Sequence, residues 1–221
     1  MASYPVVIPV HPDDGKENPG MLADTTVSLP MSAFPPLALG FFGLGTGYLI
    51  YGPQELFKFP SRDGAVDLAT GIWGVWMPGF LQFLTGTYLF VGLAWFHSFS
   101  APPLYMAALA FTAYGVHWFA IGYNRAHGAS PLPNGFMAIA FTAISVLGLI
   151  VFFDVGDAGV GGLFVGLTLI YLSDIVASLK LGPAGMAERL LGFFHIGTGL
   201  WLMYLMFGVT LNFAAHFTLP V

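Results

Sequence analysis

The chain has 221 residues, of which 57% are hydrophobic and 8% charged, against roughly 25% charged in a soluble domain. Such an alphabet cannot cover a water-facing globule; it belongs in a membrane, where the apolar residues fill about six spans of about 20 residues and leave little for a soluble domain. A formal net charge of −5 with six Lys and Arg excludes a nucleic-acid surface, and the absence of Cys excludes disulfides, thiolate metal sites and cysteine nucleophiles.

Residues 1–30 carry four of the eleven acids (Asp13, Asp14, Glu17, Asp24), Lys16 and five prolines, with no apolar run of spanning length. This segment reads as a polar N-terminal tail; it has neither the basic start nor the small-residue cleavage site of a signal peptide. Residues 31–221 read as one transmembrane domain. Six apolar stretches follow, at about 33–52, 71–95, 103–123, 134–153, 159–179 and 189–213, each bounded by Pro, Gly or charged residues. They predict an all-α integral membrane protein of six transmembrane helices. The alternating ten-residue segments of a β-barrel are absent, and 29 glycines with 16% aromatic residues suit helices that pack closely in lipid.

The pair Pro35-Pro36 predicts the start of the first helix, because the first N–H groups of a helix have no intrahelical partner to lose. Connections are short, Pro53–Thr70 being the longest, so any activity lies within or across the bilayer. Lys58, Arg62, Arg125, Lys180 and Arg189 fall in or beside the odd-numbered loops, and Lys16 falls on the side of the termini; by the positive-inside rule the termini face outward. Gly40–Gly47 (GFFGLGTG) matches Gly192–Gly199 (GFFHIGTG) at six of eight positions. Two Gly-rich packing faces account for the match more simply than an inverted repeat.

Polar groups inside spans cost a few kcal/mol each and mark candidate sites. Here they are Gln82, Tyr114, His117, Asp174, His195 and Asn212. Tyr114 and His117, three residues apart, share one helix face with Trp118 beside them; that face can receive a small carboxylate or relay a proton, or His117 can simply bond a neighbouring helix. Asp174 lies six residues before Lys180, where interfacial snorkelling explains it as well as ion coupling does. His97, His127 and His216 stand at loops or ends, and no two histidines have the spacing of a metal site on one helix. Glu188 and Arg189 open the sixth helix, where a carboxylate suits the dipole. No Gly-x-Ser-x-Gly, His-Glu-x-x-His or phosphate-binding Gly-Lys-Ser/Thr occurs, so an enzyme is the weaker class and no cofactor or metal is expected.

Ala110-Phe111-Thr112-Ala113-Tyr114-Gly115-Val116-His117-Trp118 is similar to the Ala-Phe-Thr-Ser-Tyr-Gly-x-x-Trp motif of the acetate uptake transporter family, the bacterial acetate/succinate permeases. Pro36–Gly43 resembles that family's Asn-Pro-Ala-Pro-Leu-Gly-Leu stretch, and weaker matches lie at Gln82 with Gly86, at Gly166-Leu167-Thr168 and at Tyr204–Asn212. The resemblance covers roughly residues 33–213. It implies a six-helix protomer around a central pore, assembled as a hexamer in the plasma or inner membrane. It also implies a hydrophobic constriction formed by Phe42, Tyr114 and Leu167; His117, Gln82 and Asn212 are candidate polar or proton-relay groups by their place inside spans, independently of the resemblance. The chain departs from the family at Ala33-Phe34, Ala113, His117 and Val209-Thr210.

The expected function is a channel or transporter for small monocarboxylates such as acetate or succinate, coupled to protons or passing the protonated acid. Its partners would be the carboxylate, protons, lipid and further copies of the chain. The rivals are a channel for ammonia or formate on the same fold, and a non-transporting membrane subunit.

Overall fold

A computed structural model describes residues 36–183 and 185–221. The tail predicted over 1–30, together with Ala33-Phe34 and Pro35, lies outside the described residues.

The described residues form six helices joined by short loops: α1 (Leu37–Leu56), α2 (Gly64–Ala94), α3 (Pro103–Ala126), α4 (Leu132–Asp154), α5 (Ala158–Ser178) and α6 (Met186–Ala215). Five of them, α2 to α6, are long and apolar enough to cross a membrane. Of the six spans expected, these five meet the length and hydropathy of a membrane-crossing helix among the described residues. α1 has 20 residues but is diluted by glycines, tyrosines, Gln54 and Glu55, and it shelters much of its surface against other helices.

The stretch Pro53–Thr70, expected as the longest connection, shrinks to residues 57–63. α1 runs on through Pro53, which forfeits only its own N–H. α2 starts at Gly64 because the Asp63 carboxylate accepts the Val66 N–H at 2.8 Å and caps it. Gln54, Glu55 and Asp67 therefore stand on helices. Within α2, Val75–Phe80 widens into a π-helical turn around Pro78, which relieves the clash between the proline ring and the preceding turn.

Each helix packs against its neighbours in sequence, and α6 returns to α1, so the six close into a ring. Glycines set the tightest contacts. A Cβ on Gly192 would lie 2.7 Å from the Gly52 carbonyl oxygen, and one on Gly45 would lie 3.2 Å from the Gly199 oxygen. The two Gly-rich segments that echo one another in sequence are thus the two sides of the antiparallel α1–α6 seam, where only small residues let the backbones meet. Gly71 against Gly122 does the same between α2 and α3. Phe41, Leu44, Tyr48, Tyr114, Leu167 and Leu202 fill the ring.

Candidate transport pathway

Two cavities open into the ring from opposite ends. The first, about 350 Å³, lies at the end that carries the α1–α2, α3–α4 and α5–α6 loops, and is polar; its walls include Tyr48, Glu55, His117, Tyr171, Asp174 and His195. The second, about 260 Å³, lies at the end with the α2–α3 and α4–α5 loops and is apolar, lined by Phe41, Leu44, Gln82, Tyr114, Phe164 and Leu167 among others.

The change from one to the other falls within about one helical turn on three helices. Leu44 and Tyr48 on α1, Tyr114 and His117 on α3, and Leu167 and Tyr171 on α5 each put the first residue in the apolar cavity and the second in the polar one. At 1.5 Å of rise per residue, three or four residues amount to about 5 Å, so only a thin septum divides the cavities.

Stacked rings build that septum. Tyr114 and Tyr171 lie with centroids 5.7 Å apart and planes 18° apart, and Phe141 stacks on His117 at 4.4 Å and on Tyr171 at 5.4 Å. The Ser145 hydroxyl donates to the Phe141 carbonyl at 2.7 Å, which leaves its oxygen to accept the Tyr114 hydroxyl proton at 2.9 Å. His117 Nδ1 bonds the Tyr171 hydroxyl at 3.1 Å, fixing the imidazole ring.

Besides Thr112 Oγ1, two buried polar groups in the cavity walls have no partner among the described residues. One is His117 Nε2, on a side chain only 4% exposed; the other is the Gln82 carboxamide, 0% exposed, with neither Nε2 nor Oε1 bonded. A buried polar group without a partner costs roughly 1–3 kcal/mol, and each of these residues lines one of the cavities.

The remaining polar groups of the first cavity are largely paired. His195 Nδ1 lies 2.5 Å from Glu55 Oε2, and its ring stacks on Tyr48 at 4.7 Å. Arg62 holds both carboxylate oxygens of Asp67 at 2.9 and 3.1 Å, which raises the Arg62 guanidinium further above its ordinary value. Arg125 donates to Asp67 Oδ1 at 3.1 Å and to Gln54 Oε1, and lies 4.1 Å over the Tyr51 ring. Lys58 pairs with Glu188 at 2.5 Å. Asp174 accepts the Ser178 hydroxyl at 2.6 Å and lines the cavity from the last turn of α5.

Of the predicted constriction, Tyr114 and Leu167 line the apolar cavity together, and Phe42 does not join them. Phe42 is 40% exposed on the outside of the ring, while its neighbour Phe41, 2% exposed, points in. Successive helical residues differ by about 100° in direction, so one of two adjacent phenylalanines must face away. Asn212 sits far from the septum. Its amide donates to the Leu219 carbonyl at 2.8 Å and accepts the Leu219 N–H at 2.7 Å, so it pins residues 216–221 against α6.

Sequence reasoning missed Glu55, Gln54, Ser145 and Tyr171. Tyr48, Tyr51 and Glu55 are spaced as one helix face, and Tyr171 lies three residues before Asp174; both signals were available once α1 is continued through Pro53. Ser145, which shares an apolar run with Thr142, offers none. Among the described residues no group of three His, Asp or Glu side chains is placed to hold a metal ion.

This is a helical membrane protein whose six-helix ring encloses two facing vestibules. No protein-family model matches the chain, and no curated protein sequence matches it. Among solved structures it is similar to the bacterial acetate channel SatP, with a TM-score of 0.70 over 85% of this chain and 98% of that one, at 18% identity. At that identity the likeness is one of fold.

Proposed function

We propose that this protein is a multi-pass channel or transporter of a cell membrane that passes a small monocarboxylate, such as acetate, along the axis of each protomer. The observation that carries this reading is the thin aromatic septum between a polar and an apolar vestibule; Phe41, Tyr114 and Leu167, which line the apolar vestibule, would form its constriction. The SatP-like fold supports it, since the solved neighbour is an acetate channel.

The chemistry favours the neutral acid at the narrowest point. An anion pays several kcal/mol in an apolar ring, and the apolar cavity offers it no cation. An undissociated carboxylic acid presents one O–H donor and one carbonyl acceptor, the complement of the unpartnered Gln82 amide, which has N–H donors and an oxygen acceptor. The aromatic walls beside it suit a methyl or short alkyl tail.

On this reading α1 completes six membrane crossings, the polar vestibule faces the cytoplasm as the Lys and Arg of its loops direct, and the protomers assemble as a hexamer.

Uptake of labelled acetate into proteoliposomes, with and without a pH gradient, tests the proposal. Uptake above that of empty vesicles supports it, and uptake equal to theirs overturns it. Competition by unlabelled formate or ammonium stronger than that by unlabelled acetate transfers the function to another small solute on the same pathway.

A further inference from the structure

We propose that Asp174 is the proton-loading residue of the polar vestibule, exchanging a proton with the carboxylate that passes between this cavity and the septum. This rests on the transport reading and goes beyond it by naming the group that couples the proton.

The argument is one of charge. The arginines that reach the vestibule, Arg62 and Arg125, are both committed to Asp67. Glu188 is committed to Lys58, and Glu55 to His195. Among the described residues Asp174 has no cationic partner; its one bond is to the Ser178 hydroxyl at 2.6 Å. A carboxylate facing a partly buried cavity without a counter-charge is costly, whereas its protonated form is not.

A second observation points to a ligand in the same place. His117, a residue 4% exposed whose Nε2 has no partner among the described residues, lines the cavity with Asp174. The other titratable groups of the wall, beyond the paired ones above, are the phenols of Tyr48, Tyr51 and Tyr171. Asp174 and His117 are therefore titratable groups of the vestibule wall that have no ion-pair partner among the described residues.

The step balances without any further reagent. As neutral acid leaves the septum, its O–H bond breaks and an O–H bond forms on the Asp174 carboxylate; the anion departs through the vestibule, and Asp174 then releases the proton to water. In the opposite direction the Asp174 carboxylate first takes a proton from water and then gives it to the entering anion. Either way one proton moves with one carboxylate, and Asp174 ends as it began. His117 Nε2 holds the carboxyl group by a hydrogen bond during the exchange.

Infrared difference spectra of the purified protein in lipid, taken through a pH titration, read the protonated carboxyl group directly. A protonated-carboxyl band in the unaltered protein that is lost in Asp174→Asn is expected. Its persistence in Asp174→Asn overturns the assignment. Ser178→Ala, which leaves the carboxyl group in place and removes its hydrogen bond, shifts the frequency of that band; an unshifted band also overturns it.

Acetate uptake into proteoliposomes reads the coupling. A pH gradient accelerates uptake by the unaltered protein, Asp174→Asn loses that acceleration and Asp174→Glu regains it. An equal pH response in Asp174→Asn and the unaltered protein overturns the inference and leaves the transport reading standing. An unaltered protein that shows the Asp174 band and takes up no acetate overturns the transport reading and keeps Asp174 as a proton site.

Discussion

His195 Nδ1 on α6 and Glu55 Oε2 on α1 lie 2.5 Å apart across 140 residues of sequence, inside the vestibule and beside the seam where the two Gly-rich helices meet. Both side chains are largely buried. Removing one member of a buried pair strands the other, at a cost of roughly 3–5 kcal/mol, whereas replacing both with neutral groups costs far less. Glu55→Ala is therefore expected to lower the thermal midpoint more than the double variant Glu55→Gln/His195→Gln. Tryptophan fluorescence during thermal unfolding in detergent checks this; a double variant less stable than Glu55→Ala rejects the pairing argument.

Asp67 links a buried arginine to an exposed one. The Arg125 side chain is 7% exposed and that of Arg62 is 49% exposed. Asp67→Ala leaves Arg125 with Gln54 and the Tyr51 ring and is expected to cost on the order of 3 kcal/mol. Arg62→Ala removes only a half-exposed pair and is expected to cost under about 1 kcal/mol. Comparison of the two in denaturant unfolding checks the order, and equal losses count against it.

Phe41 and Phe42 are neighbours in sequence with opposite surroundings. If the ring encloses the pathway, Phe41→Ala widens the constriction and changes acetate flux about tenfold, while Phe42→Ala stays within about twofold. The uptake assay on both variants decides between them. A larger effect from Phe42→Ala returns that residue to the constriction.

The α1–α6 seam provides a matched pair of glycines on one helix. A Cβ on Gly192 would lie 2.5 Å from the Leu56 nitrogen, while one on Gly197 would meet nothing within 4 Å. Gly192→Ala is expected to destabilise by about 1–3 kcal/mol through overpacking. Gly197→Ala is expected to stabilise by up to about 1 kcal/mol through helix propensity. Thermal midpoints moving in opposite directions satisfy the prediction; a tolerated Gly192→Ala refutes the close seam.

Because the sequence has no cysteine, single introduced thiols report topology cleanly. Ser130→Cys, in the α3–α4 loop, and Ser98→Cys, in the α2–α3 loop, are both exposed and lie at opposite ends of the ring. The positive-inside reading expects a membrane-impermeant thiol reagent added to whole cells to label Ser98→Cys and to spare Ser130→Cys. The reverse pattern inverts the orientation.

Much of this architecture is written in local sequence. Apolar runs of spanning length with Pro, Gly and charged breaks locate all six helices, because chain geometry and the cost of unbonded backbone in lipid leave few other solutions. The three-residue spacing of Tyr114 and His117 puts both at the septum, since helical periodicity is a local property. What local sequence could not decide was the rotation of each helix about its own axis. That rotation turns Phe41 inward and Phe42 out, and it is set where the glycines of α1 meet α6 and α2. It likewise could not decide that Glu55 finds His195 or that Asp174 has no cationic partner among the described residues. Pairing of buried polar groups depends on which side chains the closed ring brings within a few ångströms, and only the tertiary structure sets those distances.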